Sequence, residues 1–196
     1  VVRRQRQMCI RDSYGTVGDQ NGVGLYSGYN RFNGGNLAGG ISLAPGLNGN
    51  PDLTWETSRM FQVGTEFTFG KYLEGTVDYY MKKTDGQIFN RFVGPSSGLS
   101  SITVNDGEVE NSGIEVDLTG HLINKENFSL DFTINGEFLT NKLTAMPIDP
   151  ATGEPQVLTP NGYYAWSQGR SLFDFYTREW AGVDPSDGAP TWFQYY

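Results

Sequence analysis

Seven carboxylates recur at alternate positions in four segments of the chain, and paired carboxylates can act as the acid and base of glycoside hydrolysis. A hydrolase needs two of them at a set separation across a sugar, but a chain with 22 acidic residues supplies such spacings by chance. We therefore predict no catalytic residue and no enzymatic activity. The seven acids are Glu66, Glu74, Asp78, Glu115, Asp117, Asp131 and Glu137.

His121 is the only histidine and falls on the same alternating side as the acids. A Ser-His-Asp triad would have to use it, and no neighbouring motif marks it as catalytic. A histidine–cysteine metal site is not expected, because the only cysteine, Cys9, lies in a segment that we regard as non-native for reasons given below. Gly22-Val23-Gly24 does not continue as a nucleotide-binding fingerprint. The sequence predicts neither a metal nor a cofactor.

The elements that position the acids are the segments 61–69, 73–81, 114–122 and 128–138, in which apolar and polar residues alternate without a lapse. Side chains on a strand point to opposite faces in turn, so each segment predicts a strand with one uncharged face and one polar face. Each has about the 9–11 residues that cross a bilayer as a tilted strand. The uncharged face would include Phe61, Phe67, Val77, Tyr79, Val116, Leu118, Phe132 and Ile134.

A soluble β-sandwich also alternates, with its core on one side and water on the other, so the alternation alone does not separate the two folds. The connections favour a membrane barrel. Residues 70–72 and 123–127 are short links, whereas the connections around 90–107 and after 147 are long. Short turns at one end and long loops at the other are typical of outer-membrane barrels.

We therefore predict an all-β fold, an antiparallel meander that forms part of a large transmembrane β-barrel and remains an open curved sheet in this chain. The alternative is a soluble or surface-attached carbohydrate-binding β-sandwich, and behind it a secreted glycosidase fragment. In detail, we expect strands at 53–69, 73–89, 108–122 and 128–146, loops at 18–52, 92–106 and after 147, and no regular period in 163–196.

The formal net charge is -8 and the chain has no basic stripe, so no nucleic-acid partner is expected. Residues 1–12, VVRRQRQMCIRD, hold four of the fourteen basic residues. Without them the net charge is -11, because four basic residues and one acidic residue are lost.

Residues 3–12 resemble the translation of a transposase-type sequencing adapter at ten consecutive positions. A signal peptide is not expected, because no apolar segment follows the basic residues. We therefore predict that 1–12 is a non-native, adapter-derived segment and that 13–196 is a partial barrel.

An aromatic cluster follows the last predicted strand. Aromatic rings stack on sugars, and loops held on a rigid scaffold often carry binding residues. The alternative is that these rings pack the segment against other parts of the protein. The candidate ligand contacts are Tyr163, Tyr164, Trp166, Phe175, Tyr176 and Trp180.

Several motifs resemble those of SusC/RagA-type TonB-linked outer-membrane receptors. Tyr14–Asp19 is similar to the family's SYGTxGN strand end, with Asp19 where Asn is usual. Glu110–Glu115 is similar to its xNxGxE strand start. The other three stretches, in the family's order, are Asn50-Pro51-Asp52-Leu53-Thr54-Trp55-Glu56-Thr57, Asp78-Tyr79-Tyr80-Met81-Lys82-Lys83-Thr84, and the run from Gly169 to Tyr176 continued by Trp180–Pro185 and Gly188–Trp192.

This resemblance implies a segment of a barrel of about 22 strands in the bacterial outer membrane. It implies a transporter that imports large nutrients, oligosaccharides or peptides, with energy from the TonB complex, which it contacts through parts absent from this chain. It also implies a SusD-like surface lipoprotein as partner and membrane lipid around the barrel. The seven acids would then face the lumen, because carboxylates are not tolerated against lipid.

Overall fold

The computed structural model describes residues 7–94, 98–160 and 162–193, and these residues form nine β-strands. No helix among them is long and apolar enough to cross a membrane. The strands are β1 (Gln7–Asp19), β2 (Arg31–Leu37), β3 (Gly40–Leu47), β4 (Glu56–Phe69), β5 (Leu73–Phe92), β6 (Ser101–Lys125), β7 (Phe128–Ala145), β8 (Trp180–Val183) and β9 (Pro190–Trp192).

One five-stranded antiparallel sheet, in the order β1-β4-β5-β6-β7, dominates the structure. Residues 70–72 join β4 to β5, and residues 126–127 join β6 to β7 at the same end of the sheet. The connection from β5 to β6 and the segment after β7 lie at the opposite end. The all-β fold, the antiparallel meander and the separation of short turns from long loops are therefore confirmed.

The register keeps the two alternating sets of residues apart across the sheet. Val63 pairs with Tyr79, Tyr79 with Ile114, and Ile114 with Phe138. From β4 to β7, five successive rows on this side contain no charged residue, from the row of Phe69 to the row of Phe61. We call this side the apolar face and the other, which carries the seven acids, the polar face.

No second layer formed by the described residues covers the apolar face. Among the eight residues that were predicted to lie on it, Phe61, Tyr79, Phe132 and Ile134 are exposed and the other four are half-buried. In a sandwich these side chains would be buried against a facing sheet. β1 and β7 are the outer strands and leave long unpaired edges. The structure is therefore the open sheet expected from the sequence and not a closed sandwich.

A compact core lies at the long-loop end of the sheet. Phe89, Val109, Leu143 and Met146 are buried there, and Leu158, Trp166 and Leu172 from the segment after β7 pack against them. Val109 and Leu143 pair with each other, and both lie on the side of the sheet that carries the polar face. The segment after β7 therefore folds back over the polar face instead of extending away from the sheet.

Several predicted boundaries were wrong, always where residues lie outside the alternating segments. Residues 101–106 were expected to be loop, but they begin β6 and pair with the end of β5 through two irregularities. β5 accordingly runs to Phe92 and β6 to Lys125. Backbone hydrogen bonds continue the ladder beyond the apolar band, and they require no alternation of side chains. The turn expected at 123–127 is thereby reduced to two residues.

Two hairpins were also missed. β2 and β3 form a hairpin inside the predicted 18–52 loop, turning at Ala38 and Gly39, both with positive φ. β8 and β9 pair within the stretch expected to lack a regular period. β1 extends back to Gln7, although no strand was expected before Ser13. The two hairpins are short ladders of backbone hydrogen bonds, and side-chain periodicity does not predict them.

Substitutions at Gly75 and Gly136 test how closely neighbouring strands pack on the apolar face. A Cβ at Gly75 would lie 2.5 Å from the backbone oxygen of Asp117, whereas a Cβ at Gly136, on the same face, would meet nothing within 4 Å. We expect Gly75→Ala to destabilise the intact protein by about 1–3 kcal/mol, as overpacking does. Gly136→Ala should be neutral or slightly stabilising. Thermal unfolding of the two variants measures the difference, and equal losses would contradict the register described above.

Candidate functional site

The seven acids lie together on the polar face, as their alternation required. Asp78, Glu115 and Glu137 form one lateral row across β5, β6 and β7. Asp117 follows two residues along β6, paired with Thr76 and Asn135. These side chains line a shallow depression in the face. Like charges directly opposite on neighbouring strands repel, so the row favours water or cations in front of it.

Among the residues that the structure describes, Asp78 is the one acid that is almost fully buried, at 6% exposure. Its carboxylate accepts hydrogen bonds from Arg11 at 2.7 Å and from the Gln62 amide at 3.4 Å. Gly64 makes this possible, because a Cβ there would lie 2.0 Å from the Asp78 carboxylate oxygen. The glycine on β4 therefore provides the space in which the Asp78 side chain lies.

Gly113 has the same role for Tyr80. The Tyr80 ring crosses β6 over Gly113, where a Cβ would lie 2.7 Å from the phenol oxygen, and the hydroxyl donates to Glu137 on β7. At the short-turn end, His121 Nδ1 lies 2.8 Å from Asp131, and its Nε2 lies 3.8 Å from Glu74. His121 thus links β5, β6 and β7. No group of three or more possible metal ligands is assembled in the described part of the chain.

The candidate ligand contacts divide into three groups. Trp166 packs edge-on against Phe89 at 5.8 Å between ring centroids, and its Nε1 donates to the Leu172 carbonyl at 3.1 Å. Trp166 therefore holds the loop to the sheet. Trp180 is on the separate β8–β9 hairpin, where it packs edge-to-face on Trp192.

The remaining four candidates are brought together. Tyr164 stacks on Phe175 at 5.2 Å, and the Tyr176 amide donates to the Tyr163 carbonyl at 2.6 Å. Tyr163, Phe175 and Tyr176 are each more than 60% exposed. We call these four residues the aromatic ledge. Rings fixed in place by backbone hydrogen bonds and still open to solvent have the geometry of a stacking platform.

Hydrogen bonds to β5 and β7 hold the segment that carries the aromatic ledge. The Leu143 amide donates to the Arg170 carbonyl at 2.8 Å, and the Leu172 amide donates to the Asn141 side chain at 2.7 Å. Gln156, 4% exposed, exchanges hydrogen bonds with both backbone groups of Phe92. Buried polar groups paired in this way fix a loop conformation.

An ion-pair network that sequence reasoning missed crosses the sheet beyond the apolar band. Arg59 on β4 contacts Asp85 on β5, and Lys83 lies 2.9 Å from Glu108 on β6. The hydroxyl of Thr144 and the ammonium of Lys83 together lower the pKa of Glu108, and the pairing raises the pKa of Lys83. The sequence did contain a signal for this network. Residues 81, 83 and 85 lie on the same side of β5 as the apolar face, but they change from apolar to charged along the strand.

Comparisons with known proteins agree with this architecture. A sequence model described as "TonB dependent receptor-like, beta-barrel" matches residues 7–192. TonB-dependent receptor P3 of Formosa agariphila is 31% identical over 144 residues, which covers 67% of this chain and 14% of that receptor.

Two solved structures are also similar. The RagAB peptide transporter aligns with a TM-score of 0.74 at 26% identity and covers 95% of this chain and 20% of the other. The RagAB peptide importer in the 'open-open' state gives a TM-score of 0.74 at 25% identity, again with 95% of this chain and 20% of the other.

The chain therefore spans about one seventh to one fifth of the length of the relatives it matches. Its family consists of outer-membrane transport receptors and not of enzymes. The family match, the antiparallel sheet and the uncharged outer rows agree, and the chain belongs to the SusC/RagA-type TonB-dependent receptors as a segment of their β-barrel.

Proposed function

We propose that the protein imports large nutrients, oligosaccharides or peptides, across the outer membrane with energy from the TonB complex. The observation that carries this proposal is the aromatic ledge, which is tethered over the polar face at the long-loop end. A ligand approaching from the loop side would meet these rings before the acids. The similarity to a structure described as a peptide transporter favours peptides as one substrate class.

In this proposal the polar face lines the lumen. A hydrated lumen accommodates carboxylates, whereas the apolar rows require hydrocarbon. The partners would be a SusD-like surface lipoprotein at the loop end and the TonB complex, which would act through parts of the receptor outside this chain. The uncharged rows would contact membrane lipid.

Phe175 and Tyr176 test the role of the aromatic ledge. The double variant F175A/Y176A in the intact receptor removes two stacking rings, each worth about 0.5–1.5 kcal/mol. We expect the concentration for half-maximal uptake of an oligosaccharide or peptide to rise about two- to ten-fold per ring, with unchanged amounts of folded barrel. Tyr26→Ala is the control, since Tyr26 matches Tyr176 in exposure (63% and 62%) but lies in another loop. Unchanged uptake in F175A/Y176A would contradict the proposed binding role.

The membrane face is tested separately. Val77→Arg and Leu118→Arg bring a charge into the apolar rows and should each cost about 2–4 kcal/mol near the midplane. Thr76→Arg and Thr119→Arg bring the same charge to the neighbouring residues on the polar face and should cost much less. The fraction of receptor that migrates as a heat-modifiable folded barrel gives the comparison. Equal losses for the two pairs would contradict lipid contact at the apolar face.

We also infer that residues 1–12 are not native, and one feature of β1 supports this. Asp12 pairs with Val63 and therefore lies within an otherwise uncharged row. The family match begins at residue 7 and includes this stretch, but strand pairing through the backbone requires no particular side chains.

The genomic DNA of the source organism tests the inference. Amplification across the codon of Ser13 should give codons before it that differ from those for residues 3–12. We expect the residue before Ser13 to be uncharged, because its side chain would face lipid. Finding the Arg-Arg-Gln-Arg-Gln-Met-Cys-Ile-Arg-Asp codons in the genome would refute the adapter origin.

A further inference from the structure

The apolar face ends abruptly at one lateral row of charged residues. The last uncharged row contains Phe61, Met81, Ser112 and Thr140. The next row towards the long loops contains Arg59, Lys83, Glu110 and Lys142, which are paired in that order across β4 to β7. We call these four residues the basic row, because three of them are cationic.

The acids that compensate the basic row lie farther from the apolar band. Asp85 and Glu108 are paired in the row beyond it, about 7 Å along the strands. The three positive charges are therefore adjacent to the apolar band, and the negative charges other than Glu110 follow outside it. This order is unusual in a chain whose net charge is -8. It matches a membrane surface in which phosphate groups lie immediately above the hydrocarbon.

The depth of the row agrees with this position. Five uncharged rows at a spacing of about 7 Å, on strands tilted by roughly 35–45°, give a band about 20–25 Å tall. That is close to the apolar band of outer-membrane barrels, about 25 Å. The row thus lies at the long-loop boundary of the band, where head groups begin, and the tilt of the strands inclines it to the membrane plane.

The cations keep free hydrogen-bonding capacity. Arg59 contacts Asp85, and Lys83 contacts Asp85 and Glu108, but their side chains remain 50% and 38% exposed. Arginine has five N–H donors and lysine three, so these ion pairs leave donors unused. Lys142 is exposed and has no carboxylate within ion-pair distance among the described residues. Such donors suit phosphate oxygens.

We propose that the basic row binds the phosphate groups of an anionic glycolipid in the outer leaflet and so fixes the height of the barrel in the membrane. The attraction adds to the contact of the apolar rows with the acyl chains. The charge of the row and its continuity with the lipid-facing rows both identify a lipid, and not a soluble anion, as the ligand.

The test compares two lysines of the basic row, on β5 and β7, with a neighbouring lysine on the polar face of β5. The intact receptor, solubilised in detergent, is titrated with bisphosphorylated lipid A, and bound lipid is counted by native mass spectrometry. Lys83→Gln and Lys142→Gln should each weaken binding about five-fold, the effect of one cation near an anionic surface. Lys82→Gln is the control, because Lys82 is exposed on the polar face and its loss should leave the affinity unchanged.

Two further measurements make the outcome decisive. Lipid A lacking both phosphates should bind the wild type and the variants with the same low affinity, and inorganic phosphate should not compete with lipid A at equal concentration. The Lys142→Gln variant separates lipid binding from loss of an ion pair, since Lys142 forms no ion pair with the other described residues. The proposal would be overturned if the Lys83→Gln/Lys142→Gln double variant bound lipid A with wild-type affinity, or if the phosphate-free lipid bound as tightly as the bisphosphorylated one. The row would then form cross-strand ion pairs only.

Discussion

The constraint on which the structure depends is the register of the antiparallel ladder. Because side chains alternate with a period of two, a slip of one residue at any strand pair would bring Asp78 or Glu115 to the apolar face. The observed pairs, such as Val77 with Val116 and Asp78 with Glu115, keep five rows uncharged from β4 to β7. Carboxylates in those rows would meet lipid, so register, burial and membrane contact are determined together.

Glycines allow the ladder to carry large side chains on its polar face. Gly64 leaves room for Asp78, and Gly113 leaves room for the Tyr80 ring to reach Glu137 on the next strand. A strand with a Cβ at each position would push these groups away from the sheet. The charges of the polar face consequently lie in rows close to the sheet.

The long-loop end of the sheet is ordered in a different way, because the segment after β7 is not paired to the sheet as a strand. The segment after β7 is ordered instead by a small core around Leu143 and by the side-chain oxygens of Asn141 and Gln156, which accept hydrogen bonds from backbone amides. These contacts bring the loop over the polar face, and Phe175, which stacks on the half-buried Tyr164, remains exposed beside it. The same packing that stabilises the loop therefore positions the aromatic ledge.

The sequence by itself determined the central parts of β4 to β7, because alternation over 9–11 residues is a local signal that these four strands repeat. It predicted the apolar face, the seven acids of the polar face and the family. It did not predict the β2–β3 and β8–β9 hairpins or the start of β6 at Ser101, since backbone pairing outside lipid requires no alternation.

Only the tertiary structure separated Trp166, which packs in the core, from Tyr163, Phe175 and Tyr176, which remain exposed. All four are aromatic residues in one irregular stretch, and their sequence neighbours do not distinguish them. Which ring becomes buried depends on Phe89 and Leu143, residues from distant strands, and the fold alone brings those together. The basic row has the same origin, because Arg59, Lys83, Glu110 and Lys142 become neighbours only through the register of four strands.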